Sequence, residues 1–405
     1  MTAGATATRY DPSSAVSRGL AAGTLRLRAW LFDTALSLWW DRGADHERGG
    51  FFDQLALHGA ESPDLPKRVR VQARQIIVFA EAGRLGWQGP WPDAVAQGLA
   101  FLPCYRRGDG LYCASVDANG MCVASTPDLY DQAFVLFAFA AAFRALGQPA
   151  ALCASAVALL ERLDALLAHP VAGYREEASP PRTPLRSNPH MHLLEAMLAW
   201  VAAGVHDPFT SVAHAIVRLA RERLIDPRTG AIGELYDDGW AFAAGAGGRV
   251  REPGHQFEWA YLLDEAQRLL GGDHCRVVAD LLAFGAFGVI DGRVVSAVDH
   301  RGRITDASCR LWAQTERLRA MIRMQERASG PVANACGAAA LESLETVERF
   351  LYAAPRGLWR ERMDLAGGWI DESAPASSLY HLVTAIAGLP IHSAIGPARM
   401  NGRSR

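Results

Sequence analysis

Two histidine–glutamate pairs with the same three-residue spacing carry the side chains best suited to proton transfer in this sequence. His255 and Glu258 follow a proline and a glycine that mark a helix start, so both should lie on one helical face. His192 and Glu195 repeat the spacing. Because imidazole titrates near neutral pH, these histidines and His381, further along the chain, are candidates for acid–base chemistry.

Each of these residues also has a purely structural interpretation. A histidine in a first helical turn is more often hydrogen-bonded within the framework than catalytic, and a glutamate there is favoured by the helix dipole. We interpret Glu258 as the residue that orients His255, and His190, which precedes a methionine, as structural. The case for chemistry therefore depends on whether folding brings the other histidines together.

Hydrophobic periodicity and helix start and stop signals predict a chain of helices. The twelve predicted helices cover residues 15–39, 67–85, 92–102, 128–146, 149–167, 188–204, 209–225, 254–270, 273–288, 308–327, 333–353 and 375–388. Short connections follow every second helix, so the helices should pair as antiparallel neighbours. The other connections are long and rich in glycine, aromatic and acidic residues, and the alternating run 293–298 predicts a small β-hairpin.

Six helical hairpins of this kind form a repeat that can close into an all-α (α/α)6 barrel. The even-numbered helices should be the inner ones, because the unusual polar residues cluster near their N-terminal ends. The long loops and small hairpins would then surround one mouth. An open solenoid is the alternative arrangement. We predict one catalytic domain over residues 15–390, between a flexible N-terminus, 1–14, and a flexible C-terminal tail, 391–405.

Such a mouth would combine histidines, carboxylates, an arginine and aromatic rings, a composition typical of a carbohydrate pocket. Besides the histidines, the inner helix ends supply Arg74, Asp131, Glu258, Trp312 and Gln314. Taken singly, Arg74 could pair with an acid, Trp312 could be a packing residue, and Asp131 or Gln314 could cap or bridge helices.

Composition and charge exclude several other classes of protein. The net charge is −2 and the basic residues form no stripe, so nucleic acid is not expected as a partner. Seven dispersed cysteines without C-x-x-C spacing favour free thiols. Neither a signal peptide nor a membrane span is evident, which predicts a cytoplasmic protein without membrane contact. We expect a monomer or homodimer with a monosaccharide substrate.

The chemistry of the site leaves alternatives. There is no H-E-x-x-H, phosphate-binding or dinucleotide motif, so we expect neither a metal nor another cofactor. A glycosidase could use Asp131, Glu258 and Glu316 as acid and base, but the histidines would then have no task. A sugar-binding toroid without catalysis is the non-enzymatic alternative.

Several spaced segments resemble the N-acylglucosamine 2-epimerase family, in particular its branch of D-mannose isomerases and mannose-6-phosphate isomerase-like proteins. The resemblance covers most of the chain, from Arg70 to His381. The matching segments are VQARQ, LYDQAFVLFA, SNPHMHLLEA, EPGHQFEW, LWAQTE and SSLYH. The first segment departs from the family pattern, because Ile76 and Ile77 stand where members often have an aromatic residue.

The resemblance implies an (α/α)6 barrel that isomerises an aldose and a ketose, D-mannose and D-fructose before others, without metal and through a cis-enediol. It implies that His255 and His381 are the acid–base residues and that Arg74, His192 and Glu258 hold the substrate, with Trp312 and Gln314 also at the pocket. His381 would move the proton between C1 and C2, and His255 would assist ring opening and protonate oxygen; the reverse assignment stays open. A 2-epimerase of N-acylglucosamine or a free hexose is the alternative, and a mannose-6-phosphate isomerase is less favoured.

Overall fold

The computed structural model describes residues 14–58, 64–177 and 184–390, and this part of the chain contains thirteen α-helices. In chain order they are α1 (Ala15–Trp30), α2 (Leu36–Asp41), α3 (Val69–Arg84), α4 (Trp91–Phe101), α5 (Leu129–Ala145), α6 (Ala150–Leu167), α7 (Ser187–Ala202), α8 (Phe209–Leu219), α9 (Pro253–Leu270), α10 (Cys275–Gly285), α11 (Leu311–Arg327), α12 (Gly330–Tyr352) and α13 (Ala376–Ala387). A π-helical turn, Leu31–Ala35, joins α1 to α2.

The helices form two concentric rings. The inner ring consists of the odd-numbered helices from α3 to α13; each contacts the next, and α13 packs against α3. The outer ring consists of α1 with α2 and the even-numbered helices from α4 to α12, and α1 packs against α12. This closure confirms the predicted (α/α)6 barrel with the even-numbered predicted helices inside, and it rules out the open solenoid.

The inner and outer helices differ in the distribution of their apolar residues. Inner helix α5 is buried on nearly all sides, whereas outer helix α8 buries one stripe that includes Phe209, Ala213 and Ile216. The core lies between the rings. There, Trp200 of α7 stacks on Phe209 of α8 with ring centroids 4.8 Å apart. The helix pairs are therefore held by buried apolar side chains that face each other across the two layers.

Short antiparallel strands connect neighbouring loops around one mouth of the barrel. The strands are β1 (Gln54–Leu55), β2 (Lys67–Arg68), β3 (Ser115–Val116), β4 (Cys122–Ala124), β5 (Leu185–Arg186), β6 (Leu235–Tyr236), β7 (Val250–Arg251), β8 (Val289–Ile290), β9 (Arg293–Asp299), β10 (Ile304–Arg310), β11 (Arg362–Met363) and β12 (Ala374–Pro375). They pair as β1–β12, β2–β3–β4, β5–β6 and β7–β9–β10–β11, with β8 also on β9. The β9–β10 pair confirms the hairpin predicted at 293–298, and the β1–β12 pair joins the two ends of the ring.

The fourth residue of five inner helices binds the backbone of the loop that precedes it. In four helices this residue is a glutamine whose amide both donates to and accepts from one loop residue, and in α7 it is His190, whose Nε2 accepts from the Tyr174 N–H. The four glutamine contacts are Gln72 with Phe51, Gln132 with Tyr112, Gln256 with Ile232 and Gln314 with Val294. We call these five contacts the loop clamps.

Most predicted helix bounds lie within a few residues of the observed ones, but one prediction is wrong. Residues 308–310 were predicted as the start of a helix; they belong instead to β10, because Cys309 and Arg310 pair with Met363 and Arg362. The predicted flexible ends fall outside the described residues, except for Ser14, which accepts from the Ser17 N–H at 3.1 Å and caps α1.

Two other expectations concern thiols and membranes. All seven cysteines of the chain are free thiols, as predicted. Within the described residues, the helices are too short or too polar to cross a lipid bilayer.

Candidate active site

A cavity of about 160 Å³ lies at the mouth where the N-terminal ends of the inner helices meet, and every inner helix contributes to its wall. The lining residues are Arg74, Tyr130, Asn188, His192, Glu252, His255, Glu258, Arg310, Trp312, Ser377, Ser378 and His381. Folding thus brings together all three candidate histidines. Among the other predicted site residues it adds Arg74, Glu258 and Trp312, but neither Asp131 nor Gln314.

The helical repeat arranges these side chains in layers. Residues at the same place in each inner helix lie at the same depth, because the helices begin together at one mouth. The sixth residues of α3, α5, α7, α9, α11 and α13 are Arg74, Phe134, His192, Glu258, Glu316 and His381. We call these six residues the sixth-residue layer; four of them, Arg74, His192, Glu258 and His381, line the cavity and form its floor.

His255 is held by a carboxylate from the loop before its helix. Its Nδ1 lies 2.8 Å from Glu234 Oε2, and the Glu252 N–H donates to the other oxygen of Glu234 at 2.9 Å. Burial alone would lower the pKa of His255, but the carboxylates of Glu234 and Glu252 outweigh burial and raise that pKa to about 10. The prediction that Glu258 orients His255 is therefore wrong, because Nδ1 of His255 binds Glu234 instead of Glu258.

His381 also has a carboxylate on Nδ1, but its charge balance is different. The distance from Nδ1 to Glu316 Oε1 is 2.8 Å. Burial lowers the pKa of His381 from the ordinary 6.5, and the attraction of Glu316 offsets only part of this effect. His381 is therefore neutral near pH 7, with Nδ1–H donated to Glu316 and Nε2 left as a base.

His192 is neutral as well. Its Nδ1 lies 3.2 Å from Glu195 Oε2, and burial lowers the pKa of His192 to about 4. The predicted pairing within this His-x-x-Glu motif is thus present in the structure. The Tyr380 hydroxyl donates to the same oxygen of Glu195.

Glu258 has an unusual environment. Its Oε1 is buried without a hydrogen-bond partner among the described residues, and Nδ1 of the neutral His192 is 3.9 Å away. Burial, with the nearby carboxylates of Glu316 and Glu195, raises the pKa of Glu258 well above 4.5. This environment favours the neutral carboxylic acid form of Glu258, which can donate a hydrogen bond to an oxygen atom in the cavity.

Arg74 and Trp312 complete the walls. Arg74 donates to the Tyr130 hydroxyl at 2.6 Å, and its guanidinium lies 4.1 Å from the ring centroid of Phe134. The Trp312 ring lies between His255 and His381, with ring centroids 5.0 Å and 5.9 Å apart, respectively. Ring faces of this kind pack well on the C–H surfaces of sugars.

The two predicted residues outside the lining have other contacts. Asp131 is completely buried and accepts from Arg70 Nε at 2.6 Å, and burial raises its pKa to about 7. Gln314 is one of the loop clamps and binds both backbone groups of Val294 at 2.8 Å. His190 is likewise structural, as interpreted from the sequence.

Several lining residues and supports were not identified from the sequence. Glu234 lies in a loop 21 residues before the histidine that it holds, so no helical spacing reveals the pair. Glu316 was considered only as a glycosidase carboxylate, although its position five residues after the start of α11 matches that of the floor residues. Alignment of the six helix starts would have found it.

In the part of the chain that the structure describes, three groups of donor atoms could hold a metal ion, because the ligand atoms within each group lie within 4.8 Å of one another. The groups are His192 with Glu195 and Glu258, Glu234 with Glu252 and His255, and Glu258 with Glu316 and His381. In each group a carboxylate already binds Nδ1 of a histidine, so a cation there would displace a hydrogen bond.

Comparisons with known proteins identify the family of the chain. The family profile described as N-acylglucosamine 2-epimerase matches residues 50–385. A protein of Rhizobium meliloti (strain 1021) named mannose-6-phosphate isomerase is 39% identical over 370 residues, which is 89% of this chain and 95% of that protein.

Solved structures show the same fold. A cellobiose 2-epimerase from Spirochaeta thermophila superposes with a TM-score of 0.83 at 20% identity, covering 93% of this chain and 98% of that one. A D-mannose isomerase superposes with a TM-score of 0.78 at 19% identity, covering 94% and 99%. The protein therefore belongs to the N-acylglucosamine 2-epimerase family, whose members are sugar isomerases and epimerases.

Proposed function

We propose that the protein interconverts an aldose and a ketose, with D-mannose and D-fructose as the most suitable pair. The observation that carries this proposal is the opposite protonation of two histidines on one cavity. The pKa of His255 is raised to about 10, so His255 is protonated and can act as an acid. The pKa of His381 is lowered, so His381 is neutral and can act as a base. Environments that separate two pKa values in this way are typical of acid–base pairs.

The proposed route moves one proton between carbons. Nε2 of His381 removes the proton from C2 of the open-chain aldose, and the electron pair forms the C1–C2 double bond while His255 protonates the carbonyl oxygen on C1. The product is a cis-enediol. The hydroxyl on C2 then returns a proton to His255 as His381 delivers its proton to C1, which gives the ketose and restores both histidines.

The remaining lining residues would bind and orient the sugar. Neutral Glu258 and His192 can exchange hydrogen bonds with hydroxyl groups, and Arg74 can donate to a hydroxyl or carbonyl oxygen. The Trp312 ring between the two histidines would support the C–H face of the sugar near the reacting carbons. The relatives named mannose-6-phosphate isomerase and D-mannose isomerase support this choice of reaction.

The proposal is tested by incubating D-mannose with the protein in D2O and following the products by NMR. We expect fructose, and we expect His255→Asn and His381→Asn each to abolish its formation. Mannose 6-phosphate and N-acetylmannosamine should be run in parallel to identify the preferred sugar. Absence of any product from the whole panel would contradict an isomerase.

A 2-epimerase is the second candidate, because two imidazoles in opposite protonation states could also serve opposite faces of C2. His381 would remove the proton from one face and His255 would deliver another to the opposite face. The cellobiose 2-epimerase structures of the same fold support this reading. In the D2O experiment it would give glucose that carries deuterium at C2, and no fructose.

We further propose that catalysis needs no metal, since the carboxylates near each histidine are already engaged in its hydrogen bonding. Activity should be unchanged after treatment with EDTA. Loss of activity in EDTA that is restored by a divalent cation would contradict this part of the proposal.

A further inference from the structure

A single arginine lies directly beneath the floor of the cavity. Arg319 is a buried residue of α11, and its guanidinium donates to Glu195 Oε1 at 3.0 Å and to Glu316 Oε2 at 3.3 Å. The Tyr261 ring covers the guanidinium at 4.0 Å from the ring centroid. Arg319 does not line the cavity, so it cannot contact a substrate there.

Both carboxylates bound by Arg319 also bind a cavity histidine. Glu195 contacts His192 Nδ1 at 3.2 Å, and Glu316 contacts His381 Nδ1 at 2.8 Å. The guanidinium is planar and offers its donors in a fixed fork, so it holds the two carboxylates at a set separation. The positions of two histidines are therefore connected through one side chain.

Charge makes this arginine more important than its hydrogen bonds alone indicate. Glu195, Glu258 and Glu316 are all buried, and each would strongly oppose the ionisation of the others in the absence of a cation. Burial raises the pKa of Glu195, but Arg319, together with His192 and Tyr380, outweighs burial and lowers that pKa to about 2. Glu258, which makes no hydrogen bond to Arg319, stays neutral.

We propose that Arg319 is a positioning residue for the reaction: its guanidinium holds the carboxylate of Glu316 in place, so that Nδ1–H of His381 is held and Nε2 faces the sugar. This inference rests on the proposed function of His381 as the base. It assigns a task to a residue that contacts neither the substrate nor a histidine.

A second cavity gives an experimental route to this residue. The ninth residues of the inner helices form the next layer down, and five of them line a cavity of about 300 Å³ on the side of the floor away from the mouth. These five are Phe137, Glu195, Tyr261, Arg319 and Thr384. A small cation can therefore reach the place of a truncated Arg319 without passing through the sugar site.

The test compares Arg319→Ala, Arg319→Lys and a control, Arg317→Ala, in the full-length protein. Arg317 belongs to the same helix and is also largely buried, but it binds Glu342 and the Gly292 carbonyl, away from the floor. For Arg319→Ala we expect kcat to fall by about 10²-fold with a smaller change in KM, because displacement of a catalytic group lowers the rate of the chemical step. Arg319→Lys should keep part of the activity, because one ammonium can neutralise a carboxylate but cannot bridge two.

Chemical rescue separates positioning from folding. Guanidinium or methylguanidinium, at concentrations that do not denature the protein, should restore activity to Arg319→Ala and leave Arg317→Ala unchanged. If Arg319→Ala does not fold, the kcat of Arg319→Lys decides: a value equal to that of the wild type overturns the proposal. Failure of both cations to rescue folded Arg319→Ala also overturns it.

A measurement made without sugar tests the role of Arg319 independently of the proposed function. Nitrogen NMR of labelled histidine should show His381 as the single Nδ1–H tautomer in the wild type and as a mixture of tautomers in Arg319→Ala, with guanidinium restoring the single form. An unchanged tautomer in Arg319→Ala contradicts the inference, whatever sugar the protein acts on. A tautomer change without any sugar turnover in the wild type would instead contradict the proposed function alone.

Discussion

His255 and His381 face the same cavity and the same tryptophan, yet their pKa values move in opposite directions. The difference comes from the second charge near each histidine. Next to His255, Glu252 adds a second negative charge to that of Glu234. Next to His381, burial and the positive charge of Arg74 outweigh the carboxylates of Glu316 and Glu195, so the pKa of His381 falls. Two similar His–Glu contacts thus give an acid and a base.

Replacement of Glu234 tests how the proton on His255 is stabilised. In Glu234→Gln the loss of an anion lowers the pKa of His255, so the acid form is lost at a lower pH than in the wild type. We expect the alkaline limb of the pH–kcat profile to move towards neutrality, with activity reduced roughly 10- to 100-fold where the variant has lost its proton. A profile of wild-type shape would contradict the role of Glu234; exposed Glu222→Gln is the control.

Glu258 should lower the free energy of unfolding at high pH. Its pKa is raised in the folded protein, mainly by burial, so the unfolded chain releases the proton first as pH rises from about 4.5. The stability that the neutral form contributes is present below that pH and is lost as pH rises towards the folded-state pKa. We expect Glu258→Gln to be more stable than the wild type in mildly alkaline buffer and equal to it in mildly acidic buffer, while losing catalytic activity.

Urea unfolding of both proteins in the two buffers measures this difference. A variant that is less stable than the wild type in alkaline buffer would show that Glu258 is ionised and paired in the native protein. Glu265→Gln, at a glutamate that is paired with arginines below the floor, serves as the control.

At the scale of the secondary-structure elements, the position of a residue within an inner helix determines its role. The fourth residue clamps a loop, the sixth forms the cavity floor, and the ninth supports that floor. Gln314 and Glu316 are only two residues apart, yet one binds the backbone of Val294 and the other binds His381. Because these residues point in different directions from one helix, short motifs alone do not separate structural from chemical tasks.

Loss of a clamp should destabilise a loop without changing the cavity chemistry. In Gln314→Leu the N–H and C=O of Val294 lose their partner in a buried position, and each unpaired group costs roughly 1–3 kcal/mol. We expect a lower free energy of unfolding and faster hydrogen exchange in β9 than in the wild type. Gln325→Leu, near the other end of the same helix, is the control, and equal stability of the two variants would contradict the clamp.

The sequence predicts the helices well because their apolar periodicity is local, and it predicts His255, His192 and His381 because each lies near a helix start. Contacts between loops and helices are not local. The Glu234–His255 contact and the strand pairing at Arg310 both join segments whose approach depends on the closed ring. The sequence consequently identified the three histidines of the site but not the carboxylates, Glu234 and Glu316, that bind two of them.

For the whole molecule, closure of the ring is the decisive step. The first outer helix must pack on the last, and small residues make this contact close: a Cβ at Gly23 of α1 would lie 2.4 Å from Leu344 of α12. The β1–β12 pair and the contact of α13 with α3 close the same seam on the loop side and on the inner ring. The first and last helices of the ring thus depend on each other for burial.

A larger side chain at this seam should weaken the whole barrel. We expect Gly23→Val to reduce the free energy of unfolding by about 1–3 kcal/mol, as overpacked core sites do, while kcat of the folded fraction stays unchanged because the seam is remote from the cavity. Gly108→Val is the control, since a Cβ there meets no atom within 4 Å. Equal melting temperatures for the two variants would show that the seam tolerates extra volume.

The loop clamps have a consequence for how such a protein can diversify. Each clamp recognises only the backbone N–H and C=O of the loop, so it sets no condition on which side chain the loop presents at that place. Mutations can therefore accumulate in one loop, or a whole loop can be exchanged, while the helix beneath keeps its hold. New substrate preferences can arise in the loops around the mouth in this way, without any change to the ring of helices that carries the proposed catalytic groups.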